Sequence, residues 1–344
     1  MNVKDGLVAG VVLSITVCST ALALEVLPEK PPIPKNNPMS GAKVSLGKQL
    51  YFDARLSRTG TVSCNSCHSV MSGGEDNRAN SVGVDGKTGG RSSPTVWNSA
   101  FLSVQFWDGR AASLEEQAKG PLTNPVEMGM PNHDAVMARV KDIPGYVAQF
   151  KKVFGNTDPL TIDNLAKAIA AYERTLITPG SAHDRFMKGD KKAMSLSAQR
   201  GMKAFQGNGC IACHSGPNFA GPALPEGTGF FMKFPTFAGS EYDSKYDLTD
   251  DKGRYDVTKN EADKHMFRVP TLRNVALTAP YFHNGKVKTL DEAVRVMAKV
   301  QLDKKLSNQE VDDIVEFLKS LTGRFPKQEM PVLPPTEGRT LVNN

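Results

Sequence analysis

Apolar residues recur at helical spacing in several stretches of the chain. In 43–53, Val44, Leu46, Leu50 and Tyr51 can supply the apolar side of a helix. In 163–177, Leu165, Ile169, Tyr172 and Leu176 share one face, and Thr178-Pro179-Gly180 ends that helix at a plausible domain boundary. A short helix is expected over 197–205. Thr289 with Glu292, and Ser307 with Glu310, read as capping boxes, in which hydroxyl and carboxylate each satisfy a backbone N–H of the first turn. The second box starts a helix burying Val311, Ile314, Val315, Leu318 and Leu321, and Gly323 and Pro326 stop it. Strand-like alternation is hard to find. Residues 25–38 are proline-rich and predict an extended arm, while 56–90 and 217–251 predict long loops. The expected fold is mostly α with long loops. It carries a weak duplication, because a helix, a cysteine pair and a loop occur twice.

The N-terminus changes the compartment. Residues 7–17 are almost wholly apolar, Lys4 precedes them, and Ala21-Leu22-Ala23 follows as a small-x-small cleavage site. Residues 1–23 are therefore expected to be a secretory signal, too short to cross a bilayer comfortably. Cleavage there removes Cys18 and leaves four cysteines, Cys64, Cys67, Cys210 and Cys213. The product is expected in the periplasm, with no membrane contact after cleavage. Composition adds little. The net charge of +6 over 344 residues is mildly basic and shows no concentrated stripe of the kind that binds nucleic acid.

Cys64-Asn65-Ser66-Cys67-His68 and Cys210-Ile211-Ala212-Cys213-His214 are both C-x-x-C-H, the attachment motif of c-type haem. Two thiols at this spacing bond the vinyl groups of one porphyrin, and the adjacent imidazole binds its iron. A shared zinc site normally places its cysteine pairs about 15–20 residues apart, far closer than here. Two structural disulfides would not require His68 and His214. Two covalent haem c groups are expected, with haem iron on each histidine.

Longer strings carry a resemblance. LGKQLYFDARLSRTGTVSCNSCH, SPTVWN, QFWDGRAASLEEQAKGP, DKGRYDVTK, FRVPTLRNVALTAPYFHNGK and VDDIVEFLKSLTG, in this order, resemble the bacterial dihaem cytochrome c peroxidases from about Val44 to Gly323. The resemblance implies two cytochrome c-like domains, an N-terminal peroxidatic one (24–178) and a C-terminal electron-transfer one (179–325). A tail, 326–344, would pack back on the first. It implies that Met297 is the second ligand of the His214 iron and that Glu127 is the acid–base group above the His68 iron. Gln105 and Phe106 would lie in the same pocket, and Trp107 between the haems as an electron conduit. His283 would lie near the same region. Thr278 and Pro280 match carbonyl donors to an interdomain calcium ion whose third position is Ser92 here. Hydrogen peroxide is the implied substrate, a small periplasmic cytochrome c or a copper protein (cupredoxin) the implied donor, and a homodimer the common assembly.

One departure matters. Many members carry a histidine that caps the peroxidatic iron, in a string where this chain reads Ser81-Val82-Gly83-Val84. Valine cannot bind iron. The first iron is therefore expected to be open already in the oxidised enzyme, without reductive activation. His133 is the next histidine along the chain, and a surface position at a helix start is expected for it. The open iron also fits the dihaem enzyme that matures the tryptophylquinone of methylamine dehydrogenase, which oxidises residues of a partner protein. That relative uses tyrosine where this chain has Met297, so peroxide reduction is the favoured expectation. A pure dihaem electron carrier is the third alternative, and it would need no distal acid such as Glu127.

Overall fold

The computed structural model describes residues 24–338, so the expected signal segment, 1–23, lies outside the described residues. The first half contains α1 (Gly41–Phe52), α2 (Cys64–Cys67), α3 (Leu114–Thr123), α4 (His133–Lys141), α5 (Pro144–Phe154) and α6 (Ile162–Glu173). The second contains α7 (Ala182–Met187), α8 (Leu196–Gly207), α9 (Glu241–Tyr246), α10 (Tyr255–Thr258), α11 (Leu290–Leu302) and α12 (Asn308–Lys319). Two three-residue strands, β1 (Phe231–Lys233) and β2 (Met266–Arg268), pair antiparallel between them. The chain is thus mostly helical, as its periodicity predicts.

Helix starts follow local chemistry. Ser307 and Glu310 form the expected capping box on α12. Thr289 does sit at the N-cap of α11, but its side chain caps nothing. Glu292 turns away to accept hydrogen bonds from Lys245 (2.8 Å) and Tyr246 (2.6 Å) of α9, so that box does not form. An ion pair and a phenol across the fold hold the carboxylate in place of one local N–H.

The same helix crossing organises each half. α1 packs on α6, and α8 on α12. A β-carbon on Gly47 would lie 1.8 Å from the Ala168 carbonyl oxygen, and one on Gly201 would lie 1.8 Å from that of Asp313. Glycine lets both pairs of backbones touch. Around the first crossing Leu46, Leu50, Tyr51, Leu165, Ile169 and Tyr172 form one core; around the second, Phe205, Phe219, Ile314, Phe317 and Leu318 form another.

The chain ends cross over. Leu24 and Leu27 are buried against the second half, where Leu27 N–H donates to Asp184 and the Glu25 carbonyl accepts from Arg273. The arm then reaches the first half, where Asn37 bonds Glu115 and Lys43. At the other end, Phe325 packs edge-on against Trp97, Gln328 accepts from Tyr172, and the Pro334 carbonyl accepts from Arg55.

The duplication runs further than the cysteine pairs. Pro94-Thr95-Val96-Trp97-Asn98 repeats as Pro270-Thr271-Leu272-Arg273-Asn274, and Gln105-Phe106-Trp107-Asp108-Gly109-Arg110 repeats in the same register as Tyr281-Phe282-His283-Asn284-Gly285-Lys286. The backbone repeats with it: Phe106 and Phe282 both have positive φ, and Gln105 bridges Ala111 as Tyr281 bridges Val287. At the seam the two copies exchange hydrogen bonds. Ser92 N–H donates to the His283 carbonyl (2.7 Å), and its counterpart Arg268 donates to the Trp107 carbonyl (2.8 Å).

Candidate active site

The two C-x-x-C-H segments are held alike. Cys64–Cys67 forms a single helical turn, its entry tied by Ser63 N–H to Ser66 Oγ. Tyr51 donates to the His68 carbonyl at 2.7 Å. His68 Nδ1 lies 2.9 Å from the Pro94 carbonyl, and His214 Nδ1 lies 3.0 Å from that of Phe219. A carbonyl only accepts, so each Nδ1 carries the proton and each Nε2 keeps a lone pair for a metal. Burial lowers both imidazole pKa values, which favours this neutral, ligating form. The four cysteines are not joined as disulfides. Burial pushes Cys67 and Cys210 up to about 11, so on their own they stay thiols at neutral pH. Thiols beside a ligating imidazole suit thioether attachment of haem.

A cavity of about 670 Å³ opens against His68 and Cys67. Gln105, Phe106, Trp107, Glu127, Glu173 and Arg268 also line it. The structure therefore brings His68, Gln105, Trp107 and Glu127 to one space, which is large and mixed enough in lining to admit a porphyrin. Glu127 follows α3, and Asn124 Nδ2 donates to its Oε1 at 2.7 Å. Burial raises its pKa, while the Arg110 guanidinium and the Asn124 bond pull the other way. Gln105 spends its amide N–H on the Ser99 carbonyl (3.2 Å), leaving its oxygen for the cavity. Trp107 donates its indole N–H to the Ser92 carbonyl at 2.8 Å and meets the His283 ring edge-on at 6.3 Å. His283 itself stacks on Phe267 at 4.4 Å, and burial pushes its pKa down to about 4, so it is neutral.

Val84 is fully buried in the first core and is not part of the cavity wall; Gly83 is. The Val84 N–H donates to the Glu127 carbonyl at 2.9 Å, and a β-carbon on Gly83 would lie 2.1 Å from the Val126 carbonyl oxygen. The 81–84 string is thus pressed against the segment that carries Glu127. His133 opens α4, with Nε2 3.1 Å from the Lys119 carbonyl, and does not line the cavity.

Met297 lies on α11, packed with Phe234, Phe267, Tyr281 and Val287. Ser92 is buried, its hydroxyl 3.4 Å from the Arg78 carbonyl. Thr278 and Pro280 follow the short Val275–Leu277 turn, where Asn77 Nδ2 donates to the Ala279 carbonyl at 3.0 Å.

Two cavity residues escape a reading by motif. Glu173 ends α6 as the one acid after a run of alanines and Tyr172. It is buried with Oε2 unbonded, and burial raises its pKa to about 8. Arg268 is buried on β2. A lone charge closing an apolar helical face was the available signal for Glu173.

Two histidines with ligating nitrogens, each beside a thiol pair, in a duplicated helical fold, define a covalent dihaem oxidoreductase. A family model for di-haem cytochrome c peroxidase matches residues 41–192, and one for cytochrome c matches 198–322. The chain belongs to the di-haem cytochrome c peroxidase family, an enzyme family with two c-type haems. It is 46% identical over 309 residues to a cytochrome c551 peroxidase of Pseudomonas aeruginosa, covering 90% of this chain and 86% of that one. It is 44% identical over 309 residues to a cytochrome c551 peroxidase of Nitrosomonas europaea, covering 90% and 88%. Among solved structures, a MauG-like protein associated with microbial copper homeostasis superposes with a TM-score of 0.74 at 29% identity, covering 86% of this chain and 95% of that one. No helix among the described residues is long and apolar enough to cross a membrane.

Proposed function

We propose that the chain reduces hydrogen peroxide to water in the cavity shared by His68 and Glu127, and that it needs no prior reduction to begin. The observation that carries this is the common wall: the ligating imidazole and the half-buried Glu127 carboxylate line one space, while Val84 is buried outside it. Cys64, Cys67 and His68 hold the first haem; Cys210, Cys213, His214 and Met297 hold the second. When bound, the first haem supplies an iron that takes up peroxide and passes it two electrons. Glu127, as a carboxylate, accepts the proton from the nearer oxygen and returns it to the departing one. Asn124 holds Glu127 in place through its 2.7 Å bond. Gln105 presents its amide oxygen to a peroxide O–H. Trp107, fixed by its indole N–H at the seam, carries electrons between the halves. The donor is a small periplasmic cytochrome c or a cupredoxin. Export is supported by the 1–23 segment and by haem attachment, which takes place outside the cytoplasm. The reading includes a homodimer and a calcium ion on Ser92, Thr278 and Pro280 that braces the seam; light scattering and a chelator titration test these two, and no chemical step rests on them.

The test is resting-state electron paramagnetic resonance, paired with peroxide turnover with and without pre-reduction. The expected result is a high-spin signal from the first haem and equal turnover either way. Two low-spin, six-coordinate haems at rest, with turnover only after reduction, overturn it. Oxidation of a partner protein without peroxide turnover favours the cofactor-maturation alternative. Electron transfer without either leaves a carrier.

A further inference from the structure

Glu173 is the last residue of α6 and is 6% exposed. Its Oε2 is buried and has no hydrogen-bond partner. The neighbouring Arg174 is already committed, because both Nη atoms of that guanidinium donate to Glu115, at 2.7 and 3.0 Å. The other titratable groups that feel the charge of Glu173 or act on it are Tyr51 of α1, Cys64 of α2, Tyr172 of α6 and Glu115 of α3, and none of these is a cation. A helix C-terminus also disfavours negative charge, since its free carbonyls carry the same sign. The surroundings therefore suit the neutral acid, and burial raises the pKa to about 8. A buried carboxyl without a partner contributes nothing to stability that an apolar side chain would not contribute better.

Its place gives it a use. Glu173 lines the same cavity as His68 and Glu127, and both carboxyl groups act on the Cys64 thiol. The two differ in support. Glu127 has the Asn124 hydrogen bond and the Arg110 charge to favour its ionised form, whereas Glu173 has only the field of an arginine paired elsewhere. Two carboxyl groups held in such different surroundings divide the roles of base and acid between them. Turning peroxide into two waters consumes two electrons and two protons. Glu127 takes a proton from the nearer oxygen and returns it to the departing one, so it brings none in. Both protons must come from another group. The cavity reaches the surface at exposed Asp250 and Asp256, so water can enter to recharge a donor.

We propose that Glu173 is the proton donor for the second water. Its carboxyl O–H breaks, an O–H forms on the oxygen left after the first water has departed, and the carboxylate regains a proton from water in the cavity, twice per peroxide. The two electrons come from the donor protein. This rests on the peroxidase reading above. The test is stopped-flow kinetics and infrared spectroscopy of the wild type, Glu173→Gln and Glu173→Asp, after haem counting. In Glu173→Gln, kcat/KM for peroxide is expected to stay at the wild-type value, because Glu127 serves the first encounter, while kcat falls by about 10²-fold. Wild-type kcat is expected to fall as pH rises past about 8, where the acid is lost, and Glu173→Gln lacks that limb. Glu173→Asp is expected to keep part of kcat, with the limb moved. The infrared spectrum of the resting wild type at neutral pH is expected to show a protonated carboxyl C=O band that Glu173→Gln lacks. Should Glu173→Gln not load both haems, Glu173→Asp carries the kinetic test, and an unmoved limb overturns the proposal. Wild-type turnover with kcat or the alkaline limb unchanged in Glu173→Gln, or no difference in the carboxyl band, overturns this proposal alone. A wild type with two haems and no peroxide turnover overturns the peroxidase reading and this proposal with it.

Discussion

Replacing Glu127 by glutamine isolates proton transfer from everything else the residue does. The two side chains have nearly equal volume, and the amide oxygen can still accept from Asn124 Nδ2, now at 2.7 Å from Oε1. The segment also stays put, because its contact with Val84 is made by the backbone. What is lost is a group that takes and returns a proton, worth about 10²–10⁴ in rate, or about 3–5 kcal/mol of barrier. Asn124→Ala removes the bond that orients Glu127 and, with it, one influence that lowers its pKa. A hydrogen bond to a charged group is worth about 1.5–3 kcal/mol, so a loss of about 10–150-fold is expected there. The pH profile adds a sign. Burial raises the Glu127 pKa, and the carboxylate is the active form, so kcat/KM should rise with pH through that raised value. Arg110 opposes the raise, so Arg110→Met should move the acid limb to higher pH. Stopped-flow turnover at several peroxide concentrations measures all three variants. If Glu127→Gln keeps peroxide turnover within fivefold of wild type with both haems present, the assignment of Glu127 as proton carrier is wrong.

Other expectations follow from the fold. Asp184→Asn should cost about 3–5 kcal/mol in denaturant unfolding, since it strands the buried Arg273 cation that Asp184 now holds at 2.7 Å. Gly201→Ala should destabilise by at least the 1–3 kcal/mol typical of overpacking, roughly, because α8 must back away from Asp313, whereas alanine at exposed Gly207 should change stability little. Glu173 is protonated in the fold and ionised when unfolded between about pH 4.5 and 8, so wild-type stability relative to Glu173→Gln should fall as pH rises through that window and level off above it. Equal pH dependence of the two would show that the cavity holds Glu173 as a paired carboxylate.

The helices that were legible carry strong periodicity or caps, as α12 shows with Ser307, Glu310 and its apolar stripe. Periodicity alone does not reveal α3, α4 and α5, because each is short or carries a proline. Pro121 lies inside α3, α4 has nine residues, and α5 begins on Pro144. Their caps at Ser113 and Asn132, and the proline at the first turn of α5, are the local signals that mark them. The Thr289 box shows the converse: a correct local signal lost to a distant lysine and tyrosine. At the site, the thiol pairs and histidines are adjacent in sequence, so their chemistry is visible in one line of text. The meeting of His68 with Glu127 and Glu173, and the burial of Val84, depend on contacts between distant segments that spacing does not encode. The repeat of Gln105–Arg110 as Tyr281–Lys286 was in the text all along. It becomes evident once Trp107 and His283 are seen to occupy matching places.

The crossed termini bear on how the two halves are spaced. The leading segment is buckled to the trailing half through Asp184 and Arg273, and the trailing segment to the leading half through Tyr172 and Arg55. Swinging the halves apart would mean unfastening both buckles. The spacing of the two halves is therefore fixed by contacts that form only when both ends of the polypeptide have folded.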